Sequence, residues 1–439
     1  MIESILIANR GEIAVRVVRA CREMGLRSVV VYSEADRNSL AVRLADQAVC
    51  IGPPASKDSY LRRDNLLAAA LLTDCDAVHP GVGFLSENAG FAKAVEEAGL
   101  TFIGPSHEVI GLLGDKVEAK RTAQKHGVPV IPGSEGSVSD YAQAEEAARE
   151  MGFPVIIKAA AGGGGKGMRI VRQAEEFVGV LKIASSEAQM AFSDGTVYVE
   201  KYLENPRHVE LQIIGDSKGN VVHLGERDCS VQENHQKLIE ESPSAVVSEE
   251  MRENMGADAV RMFKALGYVG AGTIEFLVYE GKYYFMEVNA RVQVEHPVTE
   301  LVTGLDIIKE QILVCSGKPL SISQDEVSLS GYAMECRINA RTPGTVHNYL
   351  PPGGFGVRVD SFLYNGYRVS PHYDALVAKL LVFGRDRNEG IARMLRALDE
   401  FTLEGVPTNI DQQRAILQSK EFRSSAYGTG LIAELFKKE

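Results

Sequence analysis

The sequence predicts a chain of mixed α/β and α+β class that opens with a doubly wound parallel sheet and ends in an α+β domain. The first hundred residues alternate short apolar runs with capped amphipathic segments, the pattern of strand–helix–strand units. From about residue 331, strand-like runs, a Pro/Gly-rich stretch and one helix follow each other without that alternation. At 439 residues the chain is too long for one average domain, so two or three domains are expected.

Composition excludes several classes of function. The formal charge of −12 argues against a general binder of nucleic acid or anionic membranes. The six cysteines are scattered with no Cys-x-x-Cys pair, so a disulfide scaffold and a zinc site are both disfavoured. The chain opens directly on a strand, with no signal or transit peptide and no apolar run of membrane-spanning length. We therefore expect a cytoplasmic protein.

In the first module, the pattern of apolar residues and helix caps predicts strands at 5–8, 28–32, 76–79 and 101–103, with helices at 11–24 and 86–98. Such a sheet often binds a dinucleotide, but the first turn reads Ala8-Asn9-Arg10-Gly11-Glu12. It lacks the glycine pattern that lets a pyrophosphate approach the backbone. We interpret this module as structural, with one wall of the active site as its expected contribution.

A candidate phosphate site follows. Asp115 caps a helix that ends near Gly127, which places Lys116 in the first turn, where a cation gains nothing from the helix dipole. A strand over 154–158 ends in Lys158 and leads into four consecutive glycines, 162–165. Such a loop is as often a flexible hairpin as a phosphate clamp. Lys158 favours the clamp.

The next segments predict a strand at 196–203, of the kind that forms a nucleobase-binding hinge, and a strand at 207–214. In the second strand His208, Glu210 and Gln212 share the face opposite the apolar residues. Residues 226–237 are interpreted as a polar loop. Helices are predicted at 251–266, 298–315 and 388–400, with a linker at 318–330.

The stretch from 272 to 296 carries the strongest chemical signal. Two β-rich runs flank a short turn, and a three-residue loop at 280–282 would pair Tyr279 with Tyr283 and Glu275 with Glu287. Asn289 shares the face of Glu287, while apolar residues bury the other face. Opposed carboxylates destabilise a sheet unless a cation lies between them, and oxygen ligands without His or Cys suit Mg²⁺ or Mn²⁺. A solvated hairpin face is the alternative; we favour the metal site.

Seven segments, in order along nearly the whole chain, resemble biotin carboxylases. They are Asn9-Arg-Gly-Glu-Ile-Ala14, His79-Pro-Gly81, Gly83-Phe-Leu-Ser-Glu-Asn88, Gly114-Asp-Lys116, Glu226-Arg-Asp-Cys-Ser230, His235-Gln-Lys237 and Glu287-Val-Asn-Ala-Arg-Val-Gln-Val-Glu-His-Pro297. The resemblance implies a preATP-grasp domain at 1–113, an ATP-grasp core at 114–317 with a mobile lid at about 131–203, and a C-terminal domain at 331–439. It also implies ATP-dependent carboxylation of biotin at N1 with bicarbonate, through carboxyphosphate, assisted by two Mg²⁺ or Mn²⁺ ions.

The same resemblance assigns roles to individual positions. ATP would contact Lys116, Lys158, Gly164, Gly165, Glu200, Lys201, Tyr202, Leu203, His208 and His235, together with Glu275 and Glu287. The metal ligands would be Glu275, Glu287 and Asn289. Bicarbonate would lie against Lys237, Arg291, Gln293 and Val294, with Glu295 as general base and Arg337 at biotin. Lys237, Arg291, Glu295 and Arg337 would be the catalytic residues.

No Ala-Met-Lys-Met biotinylation motif occurs, so we expect the biotin to arrive on a separate carrier protein. The resemblance further implies a carboxyltransferase partner, a homodimer to which Arg19 and Glu23 could contribute, and a place in an acyl-CoA carboxylase, with acetyl-CoA and fatty acid synthesis as the leading case. Two alternatives remain open at this stage. One is a carbamoyl-phosphate-type ATP-grasp ligase, and the other is a nucleotide-binding regulatory subunit without turnover.

Three departures from the family pattern motivate the regulatory alternative. Val82 stands where the family usually has Tyr, Glu233-Asn234 replaces a commonly basic pair, and the loop after Ala340 is shortened. No charged residue with an assigned catalytic or metal role is missing. We therefore expect these changes to tune affinity or partner docking and to leave turnover intact.

Overall fold

The computed structural model describes residues 2–133, 141–159, 168–192 and 194–437, with the backbone alone at 191–192. Its helices, in chain order, are α1 Gly11–Met24, α2 Leu40–Leu44, α3 Arg63–Leu72, α4 Ala89–Glu97, α5 His107–Gly114, α6 Lys116–Lys125, α7 Tyr141–Met151, α8 Phe177–Phe192, α9 Glu249–Ala265, α10 His296–Thr303, α11 Ile307–Cys315, α12 Arg387–Glu400, α13 Ile410–Gln418, α14 Lys420–Arg423 and α15 Leu431–Leu435.

The strands, in the same order, are β1 Ser4–Ile7, β2 Arg27–Ser33, β3 Gln47–Gly52, β4 Ala77–His79, β5 Thr101–Phe102, β6 Val155–Ala159, β7 Met168–Val171, β8 Val197–Lys201, β9 Arg207–Gly215, β10 Val221–Glu233, β11 Gln236–Ser242, β12 Gly270–Tyr279, β13 Lys282–Asn289, β14 Tyr332–Asn339, β15 Gly344–Thr345, β16 Asn348–Leu350, β17 Val357–Ser361, β18 Arg368–Val369, β19 Leu376–Gly384 and β20 Thr402–Glu404.

The first module is the predicted parallel sheet, with strand order β3-β2-β1-β4-β5 and every pairing parallel. Helix α1 ends at Gly25, whose φ of 70° closes it in the left-handed conformation. Helix α4 begins later than predicted because Asn88, rather than Ser86, caps it by accepting from the Phe91 N–H. The sequence reading missed β3, α2, α3 and α5, which are short or lack a clear apolar period.

One eight-stranded sheet runs through the centre and end of the chain in the order β13-β12-β9-β10-β11-β14-β19-β17. All of its pairings are antiparallel. The α+β expectation for the last part of the chain is therefore confirmed, but its strands β14, β19 and β17 extend the sheet that holds β12 and β13. The hairpin of β12 and β13 is called the metal hairpin, after its predicted role. Residues on β11 and β14 consequently project over the same surface.

A smaller sheet, β7-β6-β8, has a hydrophobic core of its own with helices α7 and α8. Ala148, Val155, Phe177 and Leu181 are buried in it. The loop between β6 and β7 contains the glycine run 162–165, which lies outside the described residues. A phosphate-clamp role for Gly164 and Gly165 therefore remains a prediction.

Two predicted elements are wrong. Residues 226–237 are not a loop, because the long strand β10 and strand β11 meet there in a tight hairpin whose turn residues Asn234 and His235 both have positive φ. Residues 298–315 are not one helix: α10 ends at Gly304, with φ 74°, and Asp306 caps α11 by accepting from the Lys309 N–H. The β10–β11 hairpin was missed because its residues are polar, and the break between α10 and α11 was missed because the apolar period continues across it.

Within the described ranges, no helix is both long enough and apolar enough to cross a bilayer.

Candidate active site

The metal hairpin has the predicted pairing of Glu275 with Glu287, but by a different route. Its turn contains only Glu280 and Gly281, with φ of 49° and 73°, so Tyr279 pairs with Lys282 and not with Tyr283. A bulge then adds one residue to β13 between the pairs Phe276–Phe285 and Glu275–Glu287. The shorter turn and the extra residue compensate each other, which returns Glu287 to the predicted position.

A row of directly opposed charged residues crosses four strands of the large sheet. Glu287, Glu275, Glu210 and Arg227 are successive partners on β13, β12, β9 and β10. Three carboxylates in such a row repel one another. The sequence predicted that the polar residues of β9 face away from the buried apolar side, but every residue of β9 is buried. The row must therefore be neutralised by neighbouring cations.

Lys237 is the cation at the centre. Its Nζ lies 2.6 Å from Glu210, 2.9 Å from Glu275 and 2.7 Å from Glu295. Burial disfavours the charged amine, but the three carboxylates outweigh it and raise the pKa of Lys237 well above its usual value. The lysine is therefore a fixed positive charge among three acidic groups.

Glu295 is held between two cations. One of its oxygens accepts from Lys237, and the other accepts from Arg337 Nη2 at 3.0 Å. Burial alone would raise the pKa of Glu295, but Lys237, Arg337 and then Arg227 depress it far below its usual range. Arg337 in turn donates from Nε to Glu240 at 2.5 Å. The carboxylate is therefore ionised and fixed in direction.

A second cation, Arg227, is fully buried behind these groups. Its guanidinium donates to Glu210 at 2.6 Å, to Gln212 at 2.7 Å and to Gln293 at 3.0 Å. Gln293 then donates to Glu275 at 2.8 Å. Because a guanidinium presents several donors in one plane, Arg227 fixes β9 and the loop before α10 together. Sequence reading did not assign Arg227 or Glu210 a role.

The oxygen ligands suit a hard divalent cation, although the amide is turned away. Burial and the neighbouring Glu275 charge raise the pKa of Glu287, a like-charge penalty that a cation would remove. Asn289 donates from Nδ2 to Glu275 at 2.9 Å, while its Oδ1 accepts from Arg291. Rotation of the amide by half a turn would present Oδ1 to the carboxylates. Glu287 offers a carboxylate oxygen as it stands, and Asn289 offers its amide oxygen after that rotation. Glu275 already accepts from Lys237, Gln293 and Asn289 and lies against His208, so a bound cation would replace some of these donors.

His208 also contacts this group. Its Nε2 lies 2.7 Å from Glu275 Oε2, and its Nδ1 lies 2.6 Å from the Gln232 amide nitrogen. Burial lowers the pKa of His208, but Glu275 more than offsets this and raises it overall. His235, by contrast, lies exposed at the β10–β11 turn.

Some of the predicted nucleotide residues lie in a separate cluster around Glu200. Its carboxylate lies 2.5 Å from Lys158 and 2.5 Å from Lys120, a lysine that the sequence reading missed. Lys201 reaches back to the Gly152 carbonyl at 3.0 Å. Two further predicted residues line the end of β8: Tyr202 is half-buried and Leu203 is buried.

Lys116 lies near the metal hairpin, since its Nζ is 3.7 Å from Glu287, and it shares helix α6 with Lys120 of the Glu200 cluster. Lys116 stands in the first turn of α6, as predicted from the Asp115 cap. The side chain is more than half exposed, which leaves it free to turn towards an anion. One lysine of the predicted phosphate site is thus adjacent to a carboxylate of the hairpin.

The first module contacts one of the predicted site residues. Glu87, in the turn before α4, accepts from Arg291 Nε at 2.8 Å and from the Ala290 N–H at 3.0 Å. Arg291 also donates to Asn289. The predicted bicarbonate residue Arg291 is therefore oriented by a residue of the N-terminal sheet, a contact that no local sequence signal indicates.

The three departures lie at the edge of this arrangement. The Val82 carbonyl accepts from Asn9 Nδ2 at 2.8 Å, a backbone contact that does not depend on the side chain. Glu233 points its carboxylate at Gln412, 3.3 Å away. After Ala340, Arg341 closes the short loop on the Thr408 carbonyl at 3.1 Å. None of them interrupts the contacts of Lys237 or Glu295.

The residues match three family descriptions. Residues 1–110 match "Biotin carboxylase, N-terminal domain", residues 115–323 match "Carbamoyl-phosphate synthase L chain, ATP binding domain", and residues 335–434 match "Biotin carboxylase C-terminal domain". The chain is also similar to "Biotin carboxylase 1" of Bacillus subtilis, with 54% identity over 442 residues and 98% of each chain covered.

Solved structures show the same similarity. A biotin carboxylase–βγ-ATP complex from Campylobacter jejuni superposes with a TM-score of 0.93 and 47% identity, covering 99% of both chains. The biotin carboxylase domain dimer of Hydrogenobacter thermophilus 2-oxoglutarate carboxylase, in complex with MgADP, ADP and bicarbonate, gives a TM-score of 0.92 and 45% identity, covering 99% of this chain and 98% of that one.

Proposed function

The chain belongs to the biotin carboxylase family, and from this membership we propose that it is a free-standing subunit acting on biotin held by a separate carrier protein. Its reaction is the ATP-dependent carboxylation of biotin with bicarbonate, supported by Mg²⁺. We assign domain limits of 1–113, 114–317 and 331–439, with a lid at about 131–203. All six cysteines are free, which supports a cytoplasmic location.

The observation that carries the proposed mechanism is the position of Glu295 between Lys237 and Arg337. Bicarbonate becomes a competent nucleophile when it loses its remaining proton, and Glu295 is an ionised carboxylate at fixed orientation that accepts this proton. Bicarbonate would bind beside Lys237, Arg291 and Gln293, which supply positive charge and an amide, and beside the Val294 N–H. Attack on the γ-phosphoryl group then yields carboxyphosphate.

The nucleotide would lie between the Glu200 cluster and the metal hairpin. Lys116 and Lys158 neutralise charge on its phosphate oxygens, assisted by the backbone of Gly164 and Gly165. Residues 200–203 hold the adenine, with His208 and His235 near the nucleotide. When bound at Glu275, Glu287 and Asn289, Mg²⁺ or Mn²⁺ supplies further neutralisation of the phosphate charge. The residues themselves align the γ-phosphoryl group with the bicarbonate oxygen.

Arg337 serves the second step. Carboxyphosphate breaks into CO₂ and phosphate, phosphate accepts the ureido proton of biotin, and the resulting enolate carries negative charge on its oxygen. Arg337 keeps its charge and offers paired donors to that oxygen. Its contacts with Glu240 and Glu295 fix its guanidinium beside the proposed base.

We propose that a partner carboxyltransferase transfers the carboxyl group to the final acceptor, with acetyl-CoA as the leading candidate. A similar structure belongs to a 2-oxoglutarate carboxylase, so membership of the family does not by itself select the acceptor. We also propose a homodimer, because the biotin carboxylase domain of that 2-oxoglutarate carboxylase is a dimer. Purification with native partners, followed by ¹⁴C-bicarbonate incorporation into acetyl-CoA, propionyl-CoA, pyruvate and 2-oxoglutarate, would identify the acceptor.

The decisive test of the reaction is phosphate release from MgATP with free biotin and bicarbonate, each omitted in turn. We expect release to require both substrates. Release that requires bicarbonate but is indifferent to biotin would favour a carbamoyl-phosphate-type ligase. Nucleotide binding without release under any condition would favour the regulatory subunit.

A further inference from the structure

A buried lysine reaches the loop before α10 from the C-terminal part of the sheet. Lys379, on β19, has no solvent exposure, and its Nζ donates a 2.9 Å hydrogen bond to the Val294 carbonyl. The same Nζ lies 3.0 Å from Oε2 of Glu12, on α1. One ammonium group therefore contacts the first module, the last domain and the loop that contains the proposed base.

The position of Lys379 in the sheet places it beside the catalytic residues. It is the direct partner of Arg337 on β14 and of Asp360 on β17, so these side chains share a face. Burial disfavours the charged amine, but Glu12, Glu335 and Asp360 outweigh it and raise the pKa of Lys379. The lysine is therefore charged and inaccessible to solvent, so it acts through its buried contacts.

The contact of Lys379 with Val294 and a neighbouring contact of His296 orient two successive peptide groups at the site. The Val294 carbonyl belongs to the same rigid plane as the nitrogen and Cα of Glu295, so Lys379 fixes the direction from which Glu295 starts. The preceding carbonyl, of Gln293, lies 2.7 Å from Nδ1 of the buried His296. Both peptide bonds are trans, so the Val294 N–H points away from His296. Among the described residues it finds no hydrogen-bond acceptor.

We propose that Lys379 is a positioning residue for the bicarbonate step. By holding the Val294 carbonyl, it sets the orientation of the peptide group that leads into Glu295, while His296 sets that of the preceding peptide group, which carries the Val294 N–H. This inference rests on the proposed roles of Val294 and Glu295. It also gives the 9–14 motif, which lacks the glycines for phosphate binding, a part in catalysis, because Glu12 neutralises and orients Lys379.

The test compares Lys379→Met with a matched control, Arg387→Met. Arg387 is another largely buried cation that joins the C-terminal domain to the central sheet, through Glu241 at 2.6 Å, but it does not contact the loop before α10. Bicarbonate-dependent phosphate release gives KM for bicarbonate and KM for ATP. In Lys379→Met we expect the bicarbonate KM to rise roughly tenfold or more, because a hydrogen bond from a charged donor is lost. The ATP KM should stay within about twofold.

Two further variants keep the test decisive if Lys379→Met does not fold. Glu12→Gln/Lys379→Met removes both members of the ion pair, so neither is left as an unpaired buried charge. Lys379→Arg keeps the charge and changes only the geometry of donation to Val294. Thermal unfolding identifies the folded variants, and each should show the same bicarbonate-specific rise.

If the bicarbonate KM and the ATP KM of Lys379→Met change by the same factor, as they would in Arg387→Met, the positioning role is overturned. So would a bicarbonate KM equal to that of the parent protein. A parent protein that releases no phosphate in response to bicarbonate and biotin would instead overturn the proposed function itself. The two failures are therefore distinguishable.

Discussion

Lys237 donates a 2.7 Å hydrogen bond to Glu295, although the proposed mechanism requires Glu295 to accept a proton. This contact keeps the carboxylate ionised, and it also makes the carboxylate a weak base. Bicarbonate entering between the two side chains would replace part of the contact and draw Lys237 towards its own negative charge. We expect the basicity of Glu295 to rise at that moment, so that proton transfer begins only when substrate is in place.

Replacement of Glu295 by Gln keeps the shape of the side chain and removes the base. We expect biotin- and bicarbonate-dependent phosphate release to fall at least about a hundredfold, because a positioned general base contributes on that scale. The ATP KM should change little, since Glu295 does not belong to the Glu200 cluster. The assay is steady-state phosphate release. Glu253→Gln, on the exposed face of α9, is the control, and equal loss in both variants would contradict the role of Glu295.

Arg337→Met separates the two half-steps. We expect carboxybiotin formation to fall roughly a hundredfold, the usual cost of one oxyanion donor, while phosphate release in the presence of bicarbonate and biotin falls less, so that more phosphate is released per carboxybiotin formed. The measurements are ¹⁴C-carboxybiotin formation and phosphate release on the same samples. Arg341→Met, four residues further on and exposed, should affect neither. If phosphate release and carboxybiotin fall in parallel, Arg337 acts on bicarbonate activation and not at biotin.

The local part of the fold was predictable from sequence, and the long-range part was not. The parallel sheet, α1 and the cap of α6 by Asp115 follow from patterns within a few residues. The hairpin at Asn234–His235 was missed because buried charged residues on β10 resemble a loop. Their burial depends on partners such as Glu210 and Gln212 in another strand, and a single sequence does not reveal such partners.

The same division holds for the site. Pairing of Glu275 with Glu287 was visible because a hairpin brings neighbours in sequence together. The sequence did contain one indication of Lys379 that was overlooked: it is a lone cation inside the apolar run of β19. Glu87 lies in one of the seven family segments, but that segment does not indicate its bond to Arg291, which joins residues 204 positions apart. The catalytic roles assigned through resemblance stay predictions, whereas the contacts that orient those residues came only from the structure.

Glu287→Gln tests the metal site from two directions. Loss of a carboxylate ligand should raise the Mg²⁺ concentration for half-maximal activity at least about tenfold. Even mutation of residues that only hydrogen-bond to a metal's ligands typically lowers metal affinity or activity about 10–100-fold. In the absence of metal the same change removes repulsion from Glu275, so the thermal unfolding temperature should stay equal or rise. Glu280→Gln, in the turn of the same hairpin, should change neither value. An unchanged Mg²⁺ requirement in Glu287→Gln would exclude this ligand.

The Glu240–Arg337 contact predicts a pH dependence of stability. Burial, opposed by Arg337 and reinforced by Glu295, raises the pKa of Glu240 from 4.5 to about 7. A carboxyl with a raised folded pKa binds its proton more tightly in the native state. Its contribution to stability is therefore complete below about pH 4.5 and is lost as the pH rises through about 7. Glu240 lies directly opposite Glu335, whose pKa burial also raises, so both groups act with the same sign.

We therefore expect the parent protein to lose more stability between pH 5 and pH 8 than Glu240→Gln does. The difference should be on the order of 2 kcal/mol, since each pKa unit corresponds to about 1.4 kcal/mol. Urea unfolding of the metal- and nucleotide-free protein at both pH values measures it. The comparison uses the change with pH within each protein, so the loss of the Arg337 contact in the variant affects both of its values and largely cancels. Parallel pH profiles for the parent and Glu240→Gln would show that this carboxyl is ionised throughout the range.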